Sequence, residues 1–338
     1  MRCIFCLEDR PGTKEHVFPR AIGGQLITNR ECQACNSTLG SRVDAALSDS
    51  LLVRNRRADL GLAGSGGMPP AIHEFLLGKA SLAEHPDQEA LVTFDKTTGK
   101  PDIRAISRIV NVVMPDGTKG ARIVVDERDT DQIPKLIQRA RKQAGFPPAS
   151  AEQIIIDIET MQKSLTIINN PKLVMKKSYD FSYVRHAMIK IAYELAFLWL
   201  GEAYLDDPSA AELRTAITAP DPNSTDHLPV VTGDETFGVF KLWPEYKTNH
   251  IAYALVNEGR IAIAVRIFDA HAAIVQVSRD AARYLSGHDI ETKLRFLSID
   301  PTNGQMTDVP MAVEWRRIVM EIMAGKRDVP RPSVRTAG

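Results

Sequence analysis

The stretch CIFCLEDRPGTKEHVFPRAIGGQLITNRECQACN, residues 3–36, decides how the rest of this chain is read. It holds all four cysteines of a 338-residue protein, set as two Cys-x-x-Cys pairs, Cys3–Cys6 and Cys32–Cys35, around Glu15-His16. A Cys-x-x-Cys turn places two thiolates on one side of a tight knuckle, and two knuckles complete the four-sulfur tetrahedron that Zn²⁺ accepts without redox chemistry. A filled shell has no open position, so the expected zinc is structural and staples a segment too small to hold a core of its own. The competing reading, a redox pair of thioredoxin type, needs only one Cys-x-x-Cys and a strand-to-helix context that neither pair shows.

Between the knuckles lie Lys14-Glu15-His16-Val17-Phe18-Pro19, then Gly23-Gly24, then Leu26-Ile27-Thr28. After the second knuckle, Leu39, Val43, Ala46 and Leu47 recur at helical spacing. The order is strand, Gly-Gly turn, strand, helix. With these residues the segment resembles an HNH endonuclease of the ββα-metal class, in the subgroup whose core is flanked by two Cys-x-x-Cys knuckles. The resemblance rests on Cys3-x-x-Cys6, Glu15-His16 with Pro19, Gly23-Gly24, and Cys32-x-x-Cys35-Asn36 followed by Gly40 and Asp44. It covers roughly the first fifty residues and nothing after them.

What the resemblance implies is phosphodiester hydrolysis with DNA as substrate. That reaction needs a deprotonated water in line with the leaving oxygen, and a positive charge on the phosphate and that oxygen. An imidazole with an ordinary pKa of about 6.5 accepts a proton near neutral pH, and a hard divalent cation supplies the charge. By resemblance His16 is the general base, while Glu15 and Asn36 hold one Mg²⁺ or Mn²⁺ through oxygen ligands. Asn36 stands where the family most often has histidine, a replacement that favours an oxygen-loving metal. Asn29 lies closer to Cys32 than the family's middle asparagine does. Asp44 is read either as a partner of the ligands or as an ordinary helix carboxylate. The alternative for His16 is a structural histidine or a zinc ligand.

Composition adds bounds. Lys and Arg number 42, as do Asp and Glu, so attraction to phosphate must come from local clusters such as Arg54, Arg56 and Arg57. The start of the chain lacks an apolar signal core. The most apolar run, IAYELAFLWLG at 191–201, is too short to span a bilayer and carries Glu194. A cytoplasmic protein with no membrane contact is expected, and in a reducing compartment paired cysteines are metal ligands rather than disulfides.

The fold class expected is α+β: a small zinc-stapled ββα-metal domain followed by a larger mixed α+β region. The divisions are 1–57 for the nuclease domain, 58–71 for a Gly- and Pro-rich linker, 72–178 for a β-rich region and 179–338 for a helix pair with a sheet, the last two alternatively forming one domain. Hairpins are expected at 90–106 around a Thr-Gly turn and at 108–126 around Pro115-Asp116-Gly117. Helices are expected at 130–144, 208–217 and 313–324, and strands at 153–158, 172–177 and within 250–278. The strongest helix pattern is at 178–205, where Val184, Ala187, Met188, Ile191, Leu195, Leu198 and Trp199 make an apolar stripe. On that helix Arg185, His186 and Lys190 read as a solvated flank in preference to a phosphate-binding surface.

Two function classes are carried forward. One is a metal-dependent DNA endonuclease whose carboxy-terminal region targets or gates cleavage through DNA, an activating ligand or a partner protein, an architecture associated with bacterial defence. The other is a non-catalytic zinc-knuckle module that binds nucleic acid or protein.

Overall fold

In the computed structural model, which describes residues 1–64, 67, 76–95, 97, 98, 100–113, 117, 119–176, 180–285 and 292–327, the first knuckle is a tight turn at 4–6 leading into a hairpin. Strand β1 (Gly12–His16) pairs antiparallel with β2 (Ile27–Cys32), so that Glu15 faces Thr28 and His16 faces Ile27. The register shifts between Thr13 and Glu15, a bulge of the kind that re-aims side chains. Between the strands a 3₁₀ turn, Arg20–Ile22, is closed by Gly23 at φ 85, a left-handed conformation that glycine adopts without a Cβ clash. Gly24 lies against the Phe18 carbonyl with no room for a Cβ.

β2 runs directly into the second knuckle and helix α1 (Gln33–Leu39). A π turn at Gly40–Asp44 carries the chain into α2 (Ala45–Asp49), and α3 (Leu51–Asp59) follows Ser50. Leu39, Val43, Leu47 and Val53 form the buried side. The strand–turn–strand–helix order expected from the sequence is therefore present. Helix α3 extends to Asp59, into the stretch read as a linker, of which residues 65, 66 and 68–71 lie outside the described residues.

Ile72–Ser178 forms a compact unit by itself. It contains β3 (Gly78–Leu82), β4 (Glu89–Phe94), β5 (Pro101–Ala105), β6 (Arg108–Val113), β7 (Lys119–Val124), α4 (Ile133–Gln143), α5 (Ala151–Thr160) and β8 (Leu173–Val174). One antiparallel sheet has the order β5-β4-β3-β8, and β6 pairs with β7 separately. Both expected hairpins form, although Gly99, Pro115 and Asp116 of their turns lie outside the described residues. The stretch 153–158, expected as a strand, is helical. Ser150 accepts the Gln153 N–H at 3.1 Å, a helix-starting Ser-x-x-Gln pattern that outweighs the β preference of three consecutive isoleucines. The expected strand at 172–177 shrinks to the two residues of β8, and residue 177 lies outside the described residues.

The other unit joins Met1–Ala71 to Tyr179–Gly338. Helix α6 (Phe181–Leu200) starts at Asp180, whose carboxylate accepts the Ser182 N–H at 2.9 Å, and 16 of its 20 residues are buried. Helix α7 (Pro208–Thr218) has Pro208 in its first turn and Asp207 as its cap. Strands β9 (Val230–Thr232), β10 (His250–Asn257), β11 (Arg260–Ile267), β12 (His271–Ser278), β13 (Arg295–Ile299) and β14 (Met306–Pro310) form an antiparallel sheet ordered β14-β13-β10-β11-β12-β9, with α8 (Met311–Met323) against β13 and β14. Helix α6 packs between this sheet and α2. Ile4, Phe5, Val17, Phe18, Ile22, Leu39 and Val43 fall in the same buried cluster as α6 and the sheet. The cysteine segment thus does not stand apart: its core is completed by the carboxy-terminal region. No helix among the described residues is long and apolar enough to cross a membrane.

His250 marks this junction. Its ring stacks on Phe18 at 5.4 Å, and Nε2 donates to the Ile22 carbonyl at 2.7 Å, leaving a buried Nδ1 with no partner among the described residues. Burial pushes its pKa down to about 4. The folded state therefore keeps the ring neutral, while the unfolded chain takes up a proton near pH 6.5, so stability falls as pH drops from about 6.5 to about 4. The gap bounds the loss at about 3 kcal/mol. His271, also buried and pushed down to about 4, acts in the same direction. Melting temperatures between pH 7 and 4.5 should fall less steeply in His250→Gln than in the wild type; parallel slopes would remove His250 from the account.

Candidate metal and nuclease site

The two knuckles meet. The Sγ atoms of Cys3, Cys6, Cys32 and Cys35 lie within 4.8 Å of one another, with Cys6 and Cys32 at 3.8 Å. A zinc tetrahedron with Zn–S bonds of about 2.3 Å has edges of about 3.8 Å. All four are free thiols, and the Cys6–Cys32 separation is far beyond a disulfide bond of about 2.05 Å. The Cys32 N–H points at Cys3 Sγ at 3.4 Å, the contact that favours a thiolate. Burial would raise the Cys32 thiol, but hydrogen bonds from the Cys35 main chain and the neighbouring sulfurs outweigh it and bring it to about 7. Spacing and donor chemistry both fit a structural zinc.

His16 ends β1 and is half-buried. Burial lowers its pKa from the ordinary value; the Glu15 charge opposes this, and Lys14 and Arg20 add to it. Asn36 sits in the first turn of α1, where its amide nitrogen donates to Thr13 Oγ1 and to the Lys14 carbonyl, each at 3.1 Å. Those bonds fasten α1 to β1 immediately before Glu15-His16. They also leave the amide oxygen, the end a hard cation takes. Asn29 is exposed on β2.

Glu15 reaches helix α6. It is 6% exposed, and Oε1 accepts from Lys190 Nζ at 2.7 Å. The same ammonium reaches Asp44 Oδ2 at 3.1 Å and Glu194 Oε1 at 3.1 Å. Burial alone would strip the Lys190 proton, but Asp44, Glu194, Glu15 and Glu31 outweigh it and hold the pKa well above the ordinary value. Burial pushes Asp44 up to about 7 despite the attraction of Lys190. Asp44 therefore belongs to the Lys190 nest and is not an ordinary solvated helix carboxylate.

The expected solvated flank of α6 is overturned. Lys190 and His186 are buried, His186 Nε2 lies 2.8 Å from the Ile217 carbonyl, and Arg185 bonds Thr225 Oγ1 at 3.2 Å and pairs with Asp226. Two charges four residues apart in the apolar run 187–200 of this helix, Lys190 and Glu194, are the sequence signal for this nest; charges in a buried stretch of helix must be matched. Two members of the arginine cluster, Arg56 and Arg57, are likewise held by partners within the chain. Arg56 grips Asp269 at 2.5 and 2.6 Å, and buried Arg57 donates to the Ser48 carbonyl at 3.1 Å.

The family model for HNH endonucleases matches residues 3–52. No curated protein and no solved structure matches the chain. The matched residues run from the first cysteine to the start of α3, spanning the hairpin, both knuckles, Glu15-His16 and Asn36. The segment from Cys3 to Leu52 is therefore what this chain has in common with the HNH endonucleases, a nuclease family that acts on nucleic acids.

Proposed function

We propose that this chain is a metal-dependent endonuclease that hydrolyses DNA phosphodiester bonds, with residues 1–57 as the nuclease domain and 179–338 targeting or gating it. The observation that carries the reading is a half-buried His16, whose pKa burial lowers, on the strand to which Asn36 is fastened by its amide nitrogen. In the reaction His16 takes a proton from the attacking water through its unprotonated ring nitrogen, the water oxygen bonds to phosphorus as the bond from phosphorus to the leaving oxygen breaks, and solvent protonates the leaving oxygen. Mg²⁺ or Mn²⁺ at Glu15 and Asn36, when bound, would neutralise charge on the phosphate and leaving oxygen. The Asn36 amide oxygen, not used by the bonds its nitrogen makes, would serve as that ligand, and zinc at the four sulfurs, when bound, would hold α1 against the hairpin. Gating is supported by Lys190, which brings α6 of the carboxy-terminal region into contact with Glu15.

One observation favours a second reading. An ammonium already occupies one Glu15 oxygen, as expected of a zinc module that binds nucleic acid or protein without cutting it. Supercoiled plasmid incubated with the full chain in Mg²⁺, in Mn²⁺ and in chelator separates the two. Ion-dependent nicking that His16→Ala abolishes supports the endonuclease; DNA binding without nicking in any ion supports the module.

A further inference from the structure

Beneath the β1–β2 hairpin four carboxyl groups, Glu15, Glu31, Asp44 and Glu194, surround one ammonium, Lys190. Lys190 donates to Glu15 and Asp44 and lies 3.1 Å from Glu194 Oε1, whose carboxylate oxygens take no hydrogen bond from it. No ammonium, guanidinium, hydroxyl or backbone N–H among the described residues donates to either oxygen of Glu31, whose carboxyl neighbour is Glu194, although Glu31, Glu194 and Lys190 are all 0% exposed. Glu15, Glu31 and Glu194 each bring one carboxylate oxygen within 4.8 Å of the others. Oxygen ligands of a hard divalent cation sit about 2.0–2.6 Å from the metal, and so no more than about 5 Å apart.

We propose that Glu15 of β1, Glu31 of β2 and Glu194 of α6 hold a hard divalent cation of the Mg²⁺, Mn²⁺ or Ca²⁺ class, in a site separate from the four sulfurs. An all-carboxylate donor set selects such ions over zinc. The ion gives Glu31 a cationic partner, which its carboxyl neighbour Glu194 cannot be. It also adds positive charge where four carboxyl groups crowd one ammonium. The site ties both strands of the hairpin to the helix that follows the separate 72–178 unit. It uses Glu31 and Glu194, which the nuclease reading does not, and shares Glu15 with it.

The test uses the full zinc-loaded chain carrying Asn36→Ala, which removes the oxygen-ligated ion expected from the nuclease reading. Titrated with Mn²⁺ and followed by electron paramagnetic resonance, this protein should bind one ion per chain, and its melting temperature should rise with Mn²⁺. Adding Glu31→Gln should weaken Mn²⁺ binding by about tenfold or more. Glu194→Gln should do the same, and stands in if the Glu31 variant does not fold. The proposal is overturned if Asn36→Ala neither binds Mn²⁺ nor gains stability from it, or if affinity is the same with Gln at 31 or 194; the nest is then held by protons shared between Glu31 and Glu194. Cleavage is not the readout, so this failure leaves the nuclease reading standing. Loss of cleavage in Asn36→Ala with Mn²⁺ still bound leaves the cation site standing.

Discussion

His16→Ala should lower DNA cleavage by about 10²–10⁴-fold per folded, zinc-loaded molecule, the usual contribution of a positioned proton acceptor. The fold should survive the change. His16 is half-buried at the end of β1, its backbone pairing with Ile27 does not involve the ring, and the sulfurs lie at the far end of the hairpin. Zinc content and DNA binding should therefore match the wild type. A structural histidine would behave differently, because loss of cleavage would then track loss of folded protein. Gel assays of plasmid nicking, normalised to zinc per chain, distinguish these outcomes. Wild-type cleavage by His16→Ala on that basis would sink the mechanism.

Cys32→Ser should cost more in stability than any other single change considered, and should unfold more than the first fifty residues. Structural zinc supplies about 10 kcal/mol or more to small domains, comparable with the whole stability of a typical domain, about 5–15 kcal/mol. Cys32 joins the end of β2 to the start of α1 and is buried, so losing its sulfur opens both the knuckle and the hairpin. Ile4, Phe5, Val17 and Phe18 share their core with α6 and the six-stranded sheet, so the damage spreads along that contact. Calorimetry should show the transition of the unit containing Met1–Ala71 and Tyr179–Gly338 lost or strongly lowered, with that of Ile72–Ser178 retained. Metal analysis of the wild type should find tightly held zinc. A zinc-free wild-type protein with both transitions intact would refute the structural role.

The local grammar of the chain was legible before any coordinates. Cys-x-x-Cys spacing announced the sulfur cluster because the ligand pairs are set by turns of fixed length. Alternating residues announced the hairpins β4–β5 and β6–β7, and apolar periodicity announced α6 and α7, because both patterns are written within a few neighbouring residues. The same reading failed at 153–158, where three isoleucines suggested a strand and a capping serine made a helix.

Contacts across long stretches of chain were decided by the tertiary structure. Glu15 and Lys190 are 175 residues apart, and no period connects them. A charged residue on a helix is solvated by default, and only the packing of α6 between α2 and the sheet turned Lys190, Glu194 and His186 inward. Burial then required partners, which β1, β2 and the end of the π turn supplied as Glu15, Glu31 and Asp44. Buried Arg57 followed the same rule, with the Ser48 carbonyl as its acceptor, while the partly exposed Arg56 pairs with Asp269. The sequence by itself determined the metal-binding knuckles, the hairpin between them and the family of the first fifty residues, since these depend on spacing. The core that segment shares, and the surroundings of Glu15, were decided by tertiary structure, since a buried charge is stable only where distant parts of the chain bring its counter-charge.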